Sequence, residues 1–362
     1  MFLEKSPQTD ATFERLLRFR APWWTDGTNL VAQEAVSILH GERRPLIAFN
    51  LRLAMCDAFM EAAVRGYTDT GAIPIFEISE PETKECDVPF EYLRDRVVWA
   101  MERWAPRGYP FLLWGDHIKL GTSDYATELA RQAIDLGFSG FQADGSHAFP
   151  DDIEGNVRTT AGIAGKLRDG QMIEGEINAI GSAKTTTPED AETFLTLCRE
   201  QHVPIAWLAI QNGTKHGPTD GIKRFVLDLE GSQKIGDVTA RFGIKWSQHG
   251  SSYSAPESLV YLPHIGCGKL NWATEGSDVA ILAYPELEQS LRTWCDNNRD
   301  QKGKPALLKQ AIHAFGDEFE HLPAAVASRV REAVYRELTG IIGIAGAGGA
   351  VGALLTAKCT KS

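Results

Sequence analysis

Eight short apolar runs, separated by longer amphipathic stretches, constrain the fold of this chain of 362 residues more than any other feature. The runs occupy residues 45–50, 72–79, 110–116, 139–144, 171–177, 204–211, 243–249 and 266–271. Apolar positions at helical spacing occur between them, as in residues 55–65, 90–104, 126–136, 156–168 and 191–201. A strand followed by a helix, repeated eight times without a glycine-rich dinucleotide turn, predicts an α/β fold of the (β/α)8 TIM-barrel type. A doubly wound open sheet is the alternative.

The segments on either side of the predicted barrel are expected to be helical. The barrel covers about residues 44–298 of one domain that spans residues 1–362, with a lead-in (helices at 13–20 and 29–40) and an appendix at 299–362. Residues 324–338 in the appendix form a strongly amphipathic stretch. Residues 340–355 are apolar and uncharged, but they are rich in glycine and fewer than the roughly 20 residues that a spanning helix needs. We therefore expect them to pack on the domain or on a neighbouring subunit.

The charge and composition of the chain argue against some classes of binding partner and favour one cellular compartment. The net charge of −11 argues against nucleic acid and against an anionic membrane surface, so the expected partner is a small molecule. The six cysteines are scattered without a CxxC pair, which indicates reduced thiols rather than a metal knuckle. Residues 1–10 are polar and lack the apolar core of a secretion signal. These features predict a cytoplasmic protein.

Three histidines lie where predicted strands three, six and seven end. They are His117, which follows Asp116, and His216 and His249. Three imidazoles at the ends of separate strands, with an acid beside one of them, are a ligand set for a divalent metal with an open coordination position. The loops after the strands build the active site of a TIM barrel, so polar residues at the other strand ends are further candidates. The pattern predicts a metal-dependent enzyme that acts on a polar, oxygen-rich substrate.

Six motifs at these strand ends occur in a fixed order. They are Asp116-His117, Asp144-Gly145-Ser146-His147, Glu174-Gly175-Glu176, Gly213-Thr214-Lys215-His216-Gly217, His249-Gly250-Ser251-Ser252 and Asn271-Trp272-Ala273-Thr274-Glu275. In this order they resemble the motifs of the class II, metal-dependent ketose-bisphosphate aldolases. The similarity is greatest to the branch with tagatose-bisphosphate and short-form fructose-bisphosphate aldolases, and it covers about residues 44–338.

The resemblance implies a role for each matching residue. His117, His216 and His249 would bind a catalytic zinc, with cobalt, iron and manganese left open, and Glu176 would lie near the metal. Asp116 would exchange a proton with the hydroxyl of the aldehyde half, and Asn271 would hydrogen-bond the enediolate that the zinc stabilises. The remaining matches are substrate-binding positions, namely Asn50 and Ser79, and the phosphate-cradling Gly217, Gly250, Ser252 and Thr274. The resemblance also implies a homo-oligomer, either a dimer or a tetramer.

Some neighbouring positions depart from the family pattern. The mobile loop after Glu176 is short and lacks its catalytic acid, and Asp220 stands where a phosphate-binding lysine is common. Ser251 and Tyr253 replace glycines. The substrate is therefore either a ketose phosphate or an unphosphorylated sugar. The predicted activity is an aldolase-type lyase, and the alternatives are a ketose or sugar-acid epimerase that works by retro-aldol chemistry and a non-catalytic aldolase-like subunit.

The roles of three further polar residues are left open. Asp144 either braces the barrel mouth or touches substrate, and His147 is kept outside the ligand set. Glu174 is expected on the face of its strand that points away from the metal.

Overall fold

The eight predicted strands form a closed parallel barrel in the computed structural model, which describes residues 36, 39, 41–214, 227–299 and 303–353. The strands are β1 (Leu46–Asn50), β2 (Pro74–Ser79), β3 (Leu112–Ile118), β4 (Gly140–Asp144), β5 (Met172–Glu176), β6 (Ile205–Ile210), β7 (Lys245–Gln248) and β8 (Cys267–Trp272). They pair in chain order, and β8 pairs with β1 in parallel. The predicted TIM barrel is confirmed, and the open sheet is wrong because the first and last strands are joined.

Helices follow the strands and continue beyond the barrel. They are α1 (Asp57–Thr70), α2 (Glu80–Glu85), α3 (Phe90–Trp104), α4 (Asp124–Asp135), α5 (Ile153–Ala164), α6 (Pro188–Glu200), α7 (Leu229–Arg241), α8 (Pro256–Tyr261), α9 (Thr274–Leu282), α10 (Pro285–Asn297), α11 (Leu308–Ala314), α12 (Gly316–Glu320) and α13 (Ala324–Ile344). A short 3-10 turn spans Leu262–Ile265.

Side-chain caps set the first residue of several helices. The Ser123 hydroxyl accepts a hydrogen bond from the backbone N–H of Ala126, so α4 begins before its predicted start. Thr187 and Asp190 form a capping box, and α6 likewise begins earlier than its apolar periodicity indicates. Helix α3 has its predicted bounds. The caps are polar residues outside the apolar pattern, which explains why periodicity alone places the starts too late.

Two tryptophans fill the lower part of the barrel interior. The rings of Trp114 on β3 and Trp207 on β6 meet edge to face, with centroids 5.2 Å apart. Because β3 and β6 are not neighbours, this contact crosses the inside of the barrel. Gly140 on β4 permits the packing, since a Cβ atom there would lie 2.1 Å from the backbone oxygen of Met172 and 2.5 Å from the Trp114 ring. The prediction that the tryptophans of the strand runs are buried is confirmed for Trp114, Trp207, Trp246 and Trp272.

Helix α13 packs on α1. Leu338 of α13 lies against Gly66 of α1, where a Cβ atom would be 2.8 Å from its side chain. Beyond α13, the backbone N–H of Gly349 donates to Thr70 O at 2.9 Å and that of Val351 to Gly71 O at 3.0 Å. The apolar segment therefore packs on the domain as far as residue 351. In the described part of the chain, no helix is long and apolar enough to cross a membrane.

Other terminal predictions lie partly or wholly outside the described residues. The helix predicted at residues 13–20 is among these, and the one at 29–40 is described only at Val36 and Leu39, which are helical and buried. The single-domain assignment of residues 1–362 stays a prediction.

Candidate active site

A cavity of about 500 Å³ opens at the carboxyl ends of the strands, where a TIM barrel carries its functional residues. Every predicted site residue that the structure describes lines it, namely Asn50, Ser79, Asp116, His117, Glu176, His249, Gly250, Ser252, Asn271 and Thr274. The predicted ligand His216 and its neighbour Gly217 lie outside the described residues. Residues 307–309 and 312, in and beside α11, close part of the cavity mouth.

An irregularity in β3 brings two consecutive side chains into this cavity. Side chains of a regular strand alternate between its faces, yet Asp116 and His117 both line the cavity. The pairing of β3 with β4 shifts between Gly115 and Ile118, and His117 has a left-handed φ of 46°. The His117 N–H donates to the Gln142 side chain at 2.8 Å, which holds the bulge. Such a conformation is rare outside glycine and is characteristic of functional sites.

Two of the three predicted ligand histidines, His117 and His249, lie side by side among three carboxylates. The distance from His117 Nε2 to His249 Nδ1 is 3.1 Å, and His117 Nδ1 lies 3.3 Å from Glu176 Oε2. Asp116 and Asp144 each place an oxygen 3.9 Å from the His117 ring. Two sets of donors are close enough to share a cation, Asp116 with both histidines and His117 with Asp144 and Glu176. Asp144 thus lies among the candidate ligands.

The electrostatics of this cluster favour a cation. Burial lowers the pKa of His117, but Asp116, Asp144 and Glu176 together raise that pKa well above its ordinary value. Burial and the nearby Asp144 raise the pKa of Glu176. Asp144 Oδ2 is buried and makes no hydrogen bond within the described residues. An orphaned carboxylate oxygen beside imidazole nitrogens and further carboxylates fits a divalent metal ion, so the residues present agree with the ligand chemistry that the sequence predicts.

A buried ion cluster lies beneath the histidines. Lys269 Nζ donates to Glu174 Oε2 at 2.6 Å and lies 3.3 Å from Glu77 Oε2, and none of the three side chains has any exposed surface. Burial raises the pKa of Glu174, but Lys269 and His249 lower it far below its usual range. Glu174 Oε1 lies 2.8 Å from His249 Nε2. Glu174 thereby fixes the His249 ring so that the opposite nitrogen faces His117.

Hydrogen bonds from Asn271 hold Asp116, the candidate proton-transfer residue. The side-chain amide of Asn271 donates to Asp116 Oδ1 at 3.1 Å and to Glu77 Oε1 at 3.0 Å. Burial, followed by the charge of Asp116, raises the pKa of Glu77 well above its usual range. Asn271 Oδ1 is buried and makes no hydrogen bond among the described residues. Asn271 and Asp116 are therefore held together and face the cavity.

The sequence interpretation did not predict the buried ion cluster of Glu77, Glu174 and Lys269, and it was wrong about the position of Glu174. Glu174 was expected on the far face of β5, but it shares the inner face with Glu176 because side chains two residues apart in a strand point the same way. The same spacing relates Glu77 to Ser79 and Lys269 to Asn271. Each member of the buried ion cluster is therefore a polar residue two positions before a predicted site residue on the same strand. This spacing could have identified the cluster from the sequence.

The β1 and β2 side of the cavity is organised around one buried carboxylate. The Asn50 amide donates to Glu82 Oε2 at 2.6 Å, and Arg52 pairs with Glu82 Oε1. The backbone N–H of Ser79, the residue before α2, donates to the same Glu82 at 3.4 Å. Burial raises the pKa of Glu82, but Arg52, followed by Lys309, brings it below its usual range. Asn50, Ser79 and Arg52 line the cavity, and Glu82 holds the side chains of Asn50 and Arg52.

The β7 and β8 side carries the predicted phosphate contacts. Gly250 has a left-handed φ of 67°, and the Ser252 hydroxyl accepts hydrogen bonds from the backbone N–H groups of Ala273 at 3.2 Å and Glu275 at 3.3 Å. The Tyr253 hydroxyl donates to Asp278, which lines the cavity. The Ser252 oxygen is thus already bonded to the start of α9.

Comparison with known proteins agrees with this architecture. A sequence model of the family described as class-II fructose-bisphosphate aldolase matches residues 39–331. The solved structure of the YdjI aldolase from Escherichia coli K12 superposes with a TM-score of 0.61 at 16% identity, over 88% of this chain and 97% of that chain. A fructose-bisphosphate aldolase from Campylobacter jejuni gives 0.64 at 15% identity, over 89% and 96%. At such identities the structural likeness supports the fold alone, and no curated protein sequence matches the chain.

Proposed function

Because this chain belongs to the class II fructose-bisphosphate aldolase family, we propose that it is a carbon–carbon lyase that catalyses reversible aldol cleavage of a ketose. One observation supports the proposal most strongly. Asp116, His117, His249 and Asn271 come from three different strand ends and converge in one cavity, in mutual contact. A structural role alone does not require this convergence of proton-transfer and metal-binding groups.

The proposed metal ion is zinc, held by His117 and His249; the carboxylate that lies within reach of both histidines is Asp116, while Glu176 and Asp144 lie at the other ring nitrogen of His117. His216 completes the proposed set from the sequence. When bound, a divalent ion supplies a Lewis acid that polarises the ketose carbonyl. The position of Glu174 against His249 supports the choice, because an outer carboxylate on a ligand histidine is the usual arrangement at such centres.

The protein's own residues account for the movement of protons. Asp116 accepts the proton of the hydroxyl on the aldehyde side of the breaking bond, and that oxygen becomes the aldehyde carbonyl. The electron pair of the carbon–carbon bond passes to the ketone half, which becomes an enediolate. The Asn271 amide lies beside this oxyanion, but both of its N–H groups are bonded in the structure, to Asp116 and to Glu77, so one of these bonds must be released before the amide donates to the oxyanion. The enediolate carbon then takes up a proton to give the second product and Asp116 gives up the proton that it accepted, so the reaction needs no net proton.

The wall of β1 and β2 is proposed to hold the rest of the substrate. The side chains of Asn50 and Arg52 are fixed through Glu82, so they present a preorganised polar surface beside Ser79. Hydroxyl groups of a sugar can donate to Glu82 and accept from Arg52. On the opposite wall, Gly250, Ser252 and Thr274 face the other end of the substrate.

The proposal is tested by linking metal content to bond cleavage. The protein is stripped with a chelator, its metal is counted by mass spectrometry, and zinc is added back before incubation with a panel of ketoses. Released aldehyde is trapped and identified. We expect His249→Ala and Asp116→Asn to lower the rate about 100-fold or more, while His321→Ala, which removes an exposed histidine, leaves it unchanged. Full activity in His249→Ala, or purified protein that binds no divalent metal, would contradict the proposal.

The same assay separates the alternative activities. An epimerase would convert one ketose into its stereoisomer with little free aldehyde, because the fragments recombine before release. A non-catalytic subunit would do neither, even with a full complement of metal. Trapped aldehyde that accumulates with the loss of ketose supports the lyase.

We also propose that the protein works as a homo-oligomer in the cytoplasm. The cysteines at 56, 86, 198, 267 and 295 are free and buried, which suits a reducing compartment. Sedimentation at several protein concentrations gives the oligomeric state, and a monomer at all of them would contradict that part of the proposal.

A further inference from the structure

The start of α9 is poorly suited to bind an anion. The first N–H groups of a helix have no partner within the helix, and phosphate commonly binds there. In this chain the Ser252 hydroxyl oxygen already accepts hydrogen bonds from the N–H groups of Ala273 and Glu275, at 3.2 and 3.3 Å. A phosphate at this position could not use those two N–H groups while Ser252 accepts from them. Two donors that an anion needs are thus engaged by the protein itself.

A carboxylate stands one turn further along the same helix. Asp278 of α9 lines the cavity and accepts a hydrogen bond from the Tyr253 hydroxyl. Tyr253 has a left-handed φ of 63°, a conformation that is uncommon for an aromatic residue. The strained backbone of Tyr253 and its hydroxyl together fix the Asp278 carboxylate in the cavity wall. A phosphate nearby would be repelled by this negative charge.

Most of the cations in the described part of the cavity have other carboxylate partners. Burial raises the pKa of Asp278, and Arg52 is among the groups that lower it. Among the described residues, three cationic side chains line the cavity, Arg52, Lys119 and Lys309. Arg52 pairs with the buried Glu82, and Lys309 Nζ lies 2.7 Å from Glu85. Among the described lining residues, Lys119 is the cation without a carboxylate partner, and it follows β3 rather than β8.

These three observations deepen the proposed function and rest on it. We propose that the substrate end lying against α9 is an unphosphorylated hydroxymethyl group, with Asp278 as the acceptor of its hydroxyl. A hydroxyl donates to a carboxylate without bringing a second negative charge into the cavity. The ketone half of the substrate is therefore of the dihydroxyacetone type, and Asp278 is the residue that excludes the phosphate.

The test compares two donors that differ only in the phosphate. Zinc-loaded protein is incubated with glyceraldehyde and either dihydroxyacetone or dihydroxyacetone phosphate, and the ketose formed is quantified by mass spectrometry. We expect kcat/KM to be at least tenfold higher with dihydroxyacetone. Asp278→Lys should reverse the preference and Asp278→Asn should reduce it at least tenfold, whereas Asp296→Asn, an exposed acid on α10, should leave it unchanged.

A binding measurement accompanies the kinetics in case a variant folds poorly. Inorganic phosphate should not raise the melting temperature of the wild type, but it should raise that of Asp278→Lys. Tyr253→Phe, which keeps the ring and releases the carboxylate, should weaken the preference for dihydroxyacetone in the same direction. A wild type that prefers dihydroxyacetone phosphate, or that phosphate stabilises, overturns this inference and leaves the lyase intact. A metal-loaded wild type that uses neither donor and cleaves no ketose overturns the proposed function instead, and this inference with it.

Discussion

The substitution Lys269→Met tests whether the buried ion cluster stabilises the barrel. The methionine keeps most of the side-chain volume and removes the cation between Glu174, at 2.6 Å, and Glu77, at 3.3 Å. Unit charges 4 Å apart interact by about 4 kcal/mol at an effective dielectric constant of about 20. Removing one partner of a buried ion pair costs about 3–5 kcal/mol, because the remaining charge stays buried without compensation. We expect the free energy of unfolding at pH 7 to fall by about that amount.

The dependence of the free energy of unfolding on pH provides a second test of this prediction. In the wild type the pKa of Glu174 is lowered, so its stabilisation is complete above its unfolded pKa of about 4.3 and is lost as the pH falls through the folded value. The pKa of Lys269 is raised, so its stabilisation is complete below about 10.4 and is lost at higher pH. Both contributions are therefore present at pH 7. Without the lysine, the pKa of Glu174 rises, so Glu174 of the variant should take up a proton as the pH falls from about 7 to about 5. The difference in the free energy of unfolding between the wild type and the variant should therefore be smaller at pH 5 than at pH 7.

Urea unfolding at pH 5 and pH 7 measures both effects. The double variant Lys269→Met with Glu174→Gln should recover part of the lost stability, since it no longer buries the uncompensated charge. Lys234→Met is the matched control, because Lys234 pairs with Glu230 at 2.8 Å on the surface, and its unfolding midpoint should not change measurably. A loss below about 1 kcal/mol at pH 7 without rescue by the double variant would refute the electrostatic reasoning.

The remaining predictions concern packing, capping and acid stability. Gly140→Ala should lower the free energy of unfolding, measured in urea, by at least about 1–3 kcal/mol, because its Cβ would meet a backbone oxygen at 2.1 Å. Gly162→Ala on α5 is the control. A Cβ there has nothing within 4 Å, so this variant should be neutral or stabilising. Ser252→Ala should cost about 1–2 kcal/mol in the same assay, since it removes the acceptor for the first N–H groups of α9, and an unchanged midpoint would show that water replaces it. Glu82→Gln should lose stability less steeply than the wild type below about pH 4, because Arg52 lowers the pKa of Glu82 and that stabilisation is lost as acid protonates it, and parallel pH profiles would contradict the assignment.

The sequence predicted the strands and their polar ends because both depend on local patterns. An apolar run specifies a buried strand, and the polar residue that ends it must lie at the barrel mouth, so Asp116 and Asn271 could be assigned to one site before any contact was known. The left-handed backbone of His117 could not be predicted, because it depends on the register between β3 and β4. The cluster around Lys269 was missed for a related reason. A polar residue inside an apolar run shows its partners only when the barrel closes and brings distant strands together.

The packing of α13 on α1 has a consequence for synthesis of the chain. The face of α1 that includes Gly66 leaves the ribosome early, but Leu338, which covers it, is made about 270 residues later, a delay of roughly 15–55 s at 5–20 residues per second. The strands and most other helices are complete before that face is covered. Chains that end before residue 338 would expose it permanently, and exposed apolar surface promotes aggregation. The face of α1 that includes Gly66 is therefore covered only after all eight strands have been made, when residues 338–351 pack on it.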